Sequence, residues 1–252
     1  MRPHVNRWIK SVGTLLADTL FPTTCAGCEG RTEKPHRLCR LCELSLRRPS
    51  AEHCPTCGEV SEGACHAHCP RCRSRQRLPD AVHAPYLYQG VVRRIVHGLK
   101  FNDHPEWGAV LGDLAVRGLA DSHALHRCEW VVPVPLHTKR LRERHYNQAS
   151  LIAMTIAKRL GRPLVTNGLE RCTITLAQAR MNRRQRRRNI QGAFRADATR
   201  FAGRSVLLVD DVFTTGNTVF EATRTLKTAG ATRVEVLCPA RSSYESTFEK
   251  FF

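Results

Sequence analysis

Ser205-Val206-Leu207-Leu208-Val209-Asp210-Asp211-Val212-Phe213-Thr214-Thr215-Gly216-Asn217-Thr218 is the stretch whose reading decides the fold. Residues 206–209 form a short apolar run of the kind that fills a parallel strand covered on both faces. Asp210 and Asp211 follow where that strand ends, and ligands of open α/β sheets bind outside that edge. Thr214, Thr215 and Thr218 supply three hydroxyls around Gly216, and residues 218–229 read as a helix stopped by Gly230. Free N–H groups and the positive dipole end at a helix start suit a phosphate, and Gly216 lets the backbone approach it closely. An ordinary strand–turn–helix with Asp and Thr as caps is the plainer alternative. A double Asp followed two residues later by T-T-G-x-T is more specific than that alternative needs.

The stretch resembles the phosphoribosyl pyrophosphate (PRPP) motif of type I phosphoribosyltransferases. The resemblance implies that Asp210 and Asp211 hold the ribose hydroxyls. It implies that Thr214, Thr215, Gly216, Asn217 and Thr218 hold the 5′-phosphate, with Mg²⁺ accompanying the PRPP.

Working outward, residues 84–88 read as a strand, 91–99 and 108–119 as helices, and 130–135 as a strand that Pro133 and Pro135 force out of the sheet. Residues 137–144 read as a strongly basic loop. Residues 147–160 read as a helix with Leu151, Ile152, Ile156 and Leu160 inward and Gly161 as its stop. Residues 233–238 read as a further strand. Strands alternating with helices predict an α/β fold with a parallel, doubly wound sheet.

The N-terminal third is different. Cys25/Cys28, Cys39/Cys42, Cys54/Cys57 and Cys69/Cys72 are four C-x-x-C pairs separated by 10, 11 and 11 residues. Each pair presents two thiolates on one knuckle, and two knuckles complete a closed tetrahedral Cys₄ site. The spacing predicts two structural Zn²⁺ ions in a zinc-ribbon module. Sequential pairing puts Cys25, Cys28, Cys39 and Cys42 on one ion and Cys54, Cys57, Cys69 and Cys72 on the other; interleaved pairing has the same spacing. Cys65, His66 and His68 are spare ligands or packing residues. The predicted organisation is an amphipathic helix over 1–20, docked on the rest or lying on a membrane surface, then the cysteine module over 21–77, then an α/β domain over 78–252.

Twelve cysteines would suit a disulfide scaffold, but nine crowd between Cys25 and Cys72 as metal-type pairs. That usage, with no secretory leader recognised, predicts a reducing cytoplasm. No apolar run approaches the length of a membrane span. The net charge of +18 and pI near 10.0 favour anionic partners without choosing among them. Six of the ten residues from 180 to 189 are arginine: Arg180, Arg183, Arg184, Arg186, Arg187 and Arg188. Their guanidinium forks suit pyrophosphate or a nucleic-acid backbone. Few aromatics lie near the basic runs, namely Tyr146 and Phe194, which favours electrostatic binding over base stacking.

The layout as a whole resembles the ComF family, a cysteine-rich zinc module followed by a phosphoribosyltransferase domain. The features that carry the resemblance are the C-x-x-C pairs, His97-Gly98-Leu99-Lys100-Phe101, residues 131–135 with Arg144-His145-Tyr146-Asn147-Gln148, the arginine-rich run, and the Asp210–Thr218 motif. The family pattern is R-G-F/Y-N-Q, so His145 stands in a glycine's place. A positive φ there would strain it. The resemblance implies a pyrophosphate loop at Val134 and Pro135, wall residues Lys100, Arg144 and Asn147, and a closing segment over 180–188. It also implies a role in natural competence, with imported single-stranded DNA and competence or recombination proteins as partners. The alternative is a non-catalytic nucleic-acid-binding accessory protein whose PRPP fold is a sensor or relic.

Overall fold

The computed structural model describes residues 24–32, 38–49, 54, 69–73, 78–119, 127–172 and 190–242. The expected helix over 1–20, the arginine run 180–188, and Cys57, Cys65, His66 and His68 lie outside the described residues.

Two short helices, α1 (Arg40–Leu44) and α2 (Pro70–Arg73), belong to the cysteine module. The α/β part opens with β1 (Ala81–His83), β2 (Tyr86–Leu87), α3 (Gly90–Phe101) and α4 (Trp107–Arg117). It continues with β3 (Trp130–Pro133), α5 (Thr138–Arg144), α6 (Gln148–Leu160), β4 (Leu169–Arg171) and β5 (Phe194–Ala196). It closes with α7 (Ala198–Phe201), β6 (Ser205–Val209), β7 (Val212–Phe213), α8 (Asn217–Thr228), β8 (Arg233–Leu237) and β9 (Ala240–Arg241).

The main sheet has the order β1-β8-β6-β3, all parallel. Alternate residues of its strands face opposite layers. Val131, Leu207, Val209 and Leu237 pack toward α3, α4 and α6. Val132, Val206, Leu208, Val234 and Val236 pack on the side of α8 and the β4–β5 hairpin. Each fully buried Leu or Ile in these layers stabilises the fold by about 1.5–3 kcal/mol. Glu235, fully buried in β8, is matched by His83 Nε2 at 2.9 Å and Arg233 Nη2 at 2.7 Å.

The strand predicted at 84–88 narrows to β2, and β1, unread in the sequence, forms the edge of the main sheet. A second parallel sheet, β2-β9-β7, repeats the order of the first, because each of its strands follows a main-sheet strand after a two-residue break. In the central strand that break is Asp210-Asp211.

The predicted basic loop at 137–144 is corrected to helix α5 over Thr138–Arg144. His137 Nδ1 accepts from the Lys139 N–H at 3.1 Å and caps its start. His145 ends it at φ 62°, the left-handed conformation that a glycine adopts without strain.

Helices α4 and α6 meet through glycines. A Cβ on Gly108 would lie 2.6 Å from Leu151 Cβ, and one on Gly112 would lie 2.7 Å from Thr155 Cβ. Among the described residues, no helix is long and apolar enough to cross a membrane.

Candidate functional site

The site forms where β3 and β6, neighbours in the sheet, end side by side. Asp210 leaves β6 with its N–H on Leu237 O at 3.2 Å. Its Oδ1 accepts from the Asp211 N–H at 2.9 Å. Burial pushes the Asp210 carboxyl up to about 7, and the neighbouring Asp211 charge adds to the rise.

Lys100, on the last turn of α3, places Nζ 2.8 Å from Asp211 Oδ2. Burial works against its ammonium, but attraction to Asp211, then Asp210, outweighs it and raises the lysine's pKa. Tyr146 fixes that turn by donating its hydroxyl to Leu99 O at 2.9 Å.

The turn after β3 is held from the other side. Asn147 caps α6 by accepting from the Ala149 N–H at 3.1 Å, and its Nδ2 donates to Val134 O at 3.0 Å. A cavity of about 280 Å³ opens between these elements. Val134, Pro135, Leu136, Asn147, Gln148 and Ala149 form one wall, and Lys100, Asp210, Asp211 and Val212 form its floor. Arg171, from β4, and Thr214 and Thr218, at the start of α8, complete it.

Thr215, Gly216 and Asn217 make the turn between those two threonines. Gly216 sits at φ 69°, and a Cβ there would lie 2.6 Å from the rings of both Phe213 and Phe220. Two helix N-termini, of α6 and α8, therefore meet one cavity that also holds two carboxylates and two cationic side chains. Helix starts and cationic side chains can hold anionic groups, and carboxylates can accept from hydroxyls.

The structure brings Asp210, Asp211, Lys100, Val134, Pro135, Thr214 and Thr218 together as the sequence reading groups them. Arg144 does not line the cavity. Its guanidinium lies over the exposed Phe101 ring at 5.4 Å, and it donates to Gln148 Oε1 at 3.3 Å. Arg171 and Gln148 were not singled out as site residues by the sequence reading. Arg171 looks like any strand arginine until the β4–β5 hairpin folds it over the sheet edge. Gln148 closes the Arg144–Gln148 motif, so position alone marked it.

The metal module meets the same architecture. The Sγ atoms of Cys25, Cys28, Cys39 and Cys42 all lie within 4.8 Å of one another. Cys28 and Cys39 are 3.8 Å apart, which matches the edge of a tetrahedron with Zn–S bonds of about 2.3 Å. Burial opposes charge on Cys25, but the N–H groups of Cys39 at 3.2 Å, Gly27 at 3.3 Å and Cys28, together with the Cys42 side chain, outweigh it and bring the thiol down to about 7. Cys54, Cys69 and Cys72 form a second group. Both groups fit structural Zn²⁺, and they follow the sequential pairing.

The first knuckle rests on α3. Arg94 Nε donates to Gly27 O at 2.6 Å, and a Cβ on Gly27 would lie 2.9 Å from both Cys42 Sγ and Val91 Cγ1. Sequence reading had no signal for that docking, because it depends on two segments more than 60 residues apart.

The class follows from two family models: a double zinc ribbon domain matches residues 16–74, and a phosphoribosyl transferase domain matches residues 146–248. Competence protein F of Haemophilus influenzae is 31% identical over 88% of this chain and 98% of that protein. The DNA utilization protein YhgH of Salmonella typhimurium is 31% identical over 81% of this chain and 90% of that protein. The chain belongs to the ComF family. Among solved structures, the glutamine PRPP amidotransferase from B. subtilis covers 57% of this chain and 30% of its own, at 20% identity and a TM-score of 0.40.

Proposed function

We propose that this protein binds PRPP together with Mg²⁺ in the cavity at the ends of β3 and β6, and that it serves the handling of imported single-stranded DNA in natural competence. One observation carries the ligand reading: the Asp210–Asp211 pair and the start of α8 share a single cavity. The names of its relatives, competence protein F and DNA utilization protein, supply the DNA context.

In this reading Asp210 and Asp211 accept from the ribose hydroxyls, and the turn from Thr214 to Thr218 receives the 5′-phosphate. Mg²⁺ would offset the charge of the pyrophosphate as it leaves. Lys100 supplies a fixed cation beside the carboxylates, which lowers the cost of bringing a polyanion next to two acids. The +18 charge adds long-range attraction for phosphate-bearing ligands, PRPP and DNA alike.

The test is calorimetric titration of PRPP and Mg²⁺ into the zinc-loaded protein and into Asp210→Asn/Asp211→Asn. Binding by the first that is lost in the second is the expected result. A folded, zinc-loaded protein that binds no PRPP overturns the ligand reading. The accessory DNA-binding role would then remain, recognised by salt-steep affinity for single-stranded DNA.

A further inference from the structure

The last turn of α3 carries an aromatic ring in solvent. Phe101 is 63% exposed, and Lys100, the residue before it, lines the cavity. A lone exposed ring needs no explanation, but this one has company. The His97 ring lies 4.7 Å from it, and the Arg144 guanidinium of α5 lies 5.4 Å from its centre. His97 and Arg93, four and eight residues back on α3, are exposed as well, and that spacing puts all three on one helix face. The stripe rises about 12 Å along the axis and ends beside Lys100.

Helix α5 continues the stripe with charge. It buries no side chain, and it sets Lys139, Arg140, Arg142 and Arg144 against Glu143. Burial, then repulsion from Arg140, hold the Arg144 guanidinium below its ordinary range despite the pull of Asp211 and Glu143. Like charges therefore crowd where α5 meets α3, and a bound anion relieves them. Of the acids just after α3, Glu106 is matched by His104 at 2.9 Å. Asp103 and Glu143 stand against Arg93 and the four cations of α5. The sequence places only Tyr146 and Phe194 near the basic runs; folding adds Phe101 and His97.

An unpaired nucleic-acid strand suits this surface. Its phosphates meet the guanidinium and ammonium groups, and its bases have free faces to lay on the rings. A duplex keeps those faces inside its own stack. A bilayer surface calls for an apolar helix face opposite the charged one, and α5 offers Leu141 alone.

We infer that the Arg93–His97–Phe101 stripe of α3 and the cationic surface of α5 form a docking surface for single-stranded DNA, with a base on the Phe101 ring and phosphates on the flanking cations. The inference rests on the DNA-handling reading above for its choice of DNA, and it gives the strand a place: next to the cavity, at the Lys100 end of α3.

The experiment measures binding of a fluorescein-labelled single-stranded DNA of about 15 nucleotides to the full zinc-loaded chain, by anisotropy across a salt series. Phe101→Leu removes the ring from an exposed position. It is expected to weaken binding roughly five- to a hundredfold and to leave the salt slope unchanged. Phe101→Trp keeps a ring and is expected to bind within about twofold of the parent or more tightly. Arg93→Gln/Arg142→Gln is expected to weaken binding and to lower the salt slope by about 1.4, because two phosphate contacts are lost. All three proteins should melt within about 2 °C of the parent, since the changed side chains are exposed.

A Phe101→Leu protein that binds as the parent does, a Phe101→Trp protein as weak as Phe101→Leu, or an unchanged salt slope in the double variant overturns the inference. So does a parent that binds the matching duplex, or phosphatidylglycerol vesicles, as tightly as the single strand. A parent that binds no DNA overturns the DNA-handling reading itself, a separate outcome visible before any variant is made.

Discussion

Lys100 Nζ lies 2.8 Å from Asp211 Oδ2, and this contact ties the last turn of α3 to the break in the central strand. Asp210, next to it, keeps a carboxyl raised to about 7 by burial. The acid pair therefore carries less negative charge at neutral pH than two exposed aspartates would.

That raised carboxyl sets a pH dependence. An acid with a raised folded pKa binds its proton more tightly when folded. It favours the folded state at low pH and loses that contribution as pH rises from its ordinary value of 3.8 to about 7. Asp210→Asn should flatten the stability profile across that window. It should exceed the parent by about 1–2 kcal/mol above pH 7.5, a discounted figure because Asp210 retains some solvent contact. Urea midpoints of the two proteins at matched pH values check this; parallel profiles would contradict it.

His145 stands at φ 62° at the end of α5. His145→Gly removes a left-handed strain of about 1 kcal/mol and should raise Tm by about 2–4 °C. A lower Tm would mean that the imidazole makes a contribution larger than the strain.

Gly27→Val places side-chain atoms against Cys42 Sγ and Val91 Cγ1. The expected cost is about 1–3 kcal/mol in global stability, with two zinc equivalents per chain retained by elemental analysis. Cys42→Ala should instead drop the zinc content by one equivalent. Equal zinc loss in both variants would show that the knuckle's docking and its metal binding are inseparable.

Gly112→Val drives a side chain into Thr155 Cβ and Ile152 O across the α4–α6 contact. The main-chain oxygen yields less readily than a side chain, so a loss of about 2–3 kcal/mol is expected. Thermal melting measures it, and a melting point within 1 °C of the parent would refute the close packing.

The central strand, the acid pair and the helix after Gly216 were legible because each has a local signature: an apolar run, two charges, a glycine among hydroxyls. The C-x-x-C knuckles were legible for the same reason, but which knuckles share a site was not, because sequential and interleaved pairings have the same spacing and only the grouped Sγ atoms separate them. The second sheet was not. Val212 and Phe213 make a strand only two residues long, and their pairing with Ala240 and Arg241 depends on segments with no local periodicity. Residues 137–144 looked like a solvated basic loop, because lysine and arginine at four of eight positions hide a helix that buries none of its side chains.

The strand order has a consequence for how the chain is made. β8 lies between β1 and β6, so Ala81 meets Glu235 only after some 150 intervening residues have been synthesised. Until Arg233–Leu237 emerge from the ribosome, β1 has no hydrogen-bonding neighbour and one edge of β6 stands open. The cysteine knuckles and the α3–α4–α6 layer come out first and can collapse on local contacts. The sheet that carries the acid pair must wait. Pairing over such distances is slow and leaves apolar strand edges exposed in the meantime. Expression of this protein should therefore depend on chaperone capacity more than its size alone suggests.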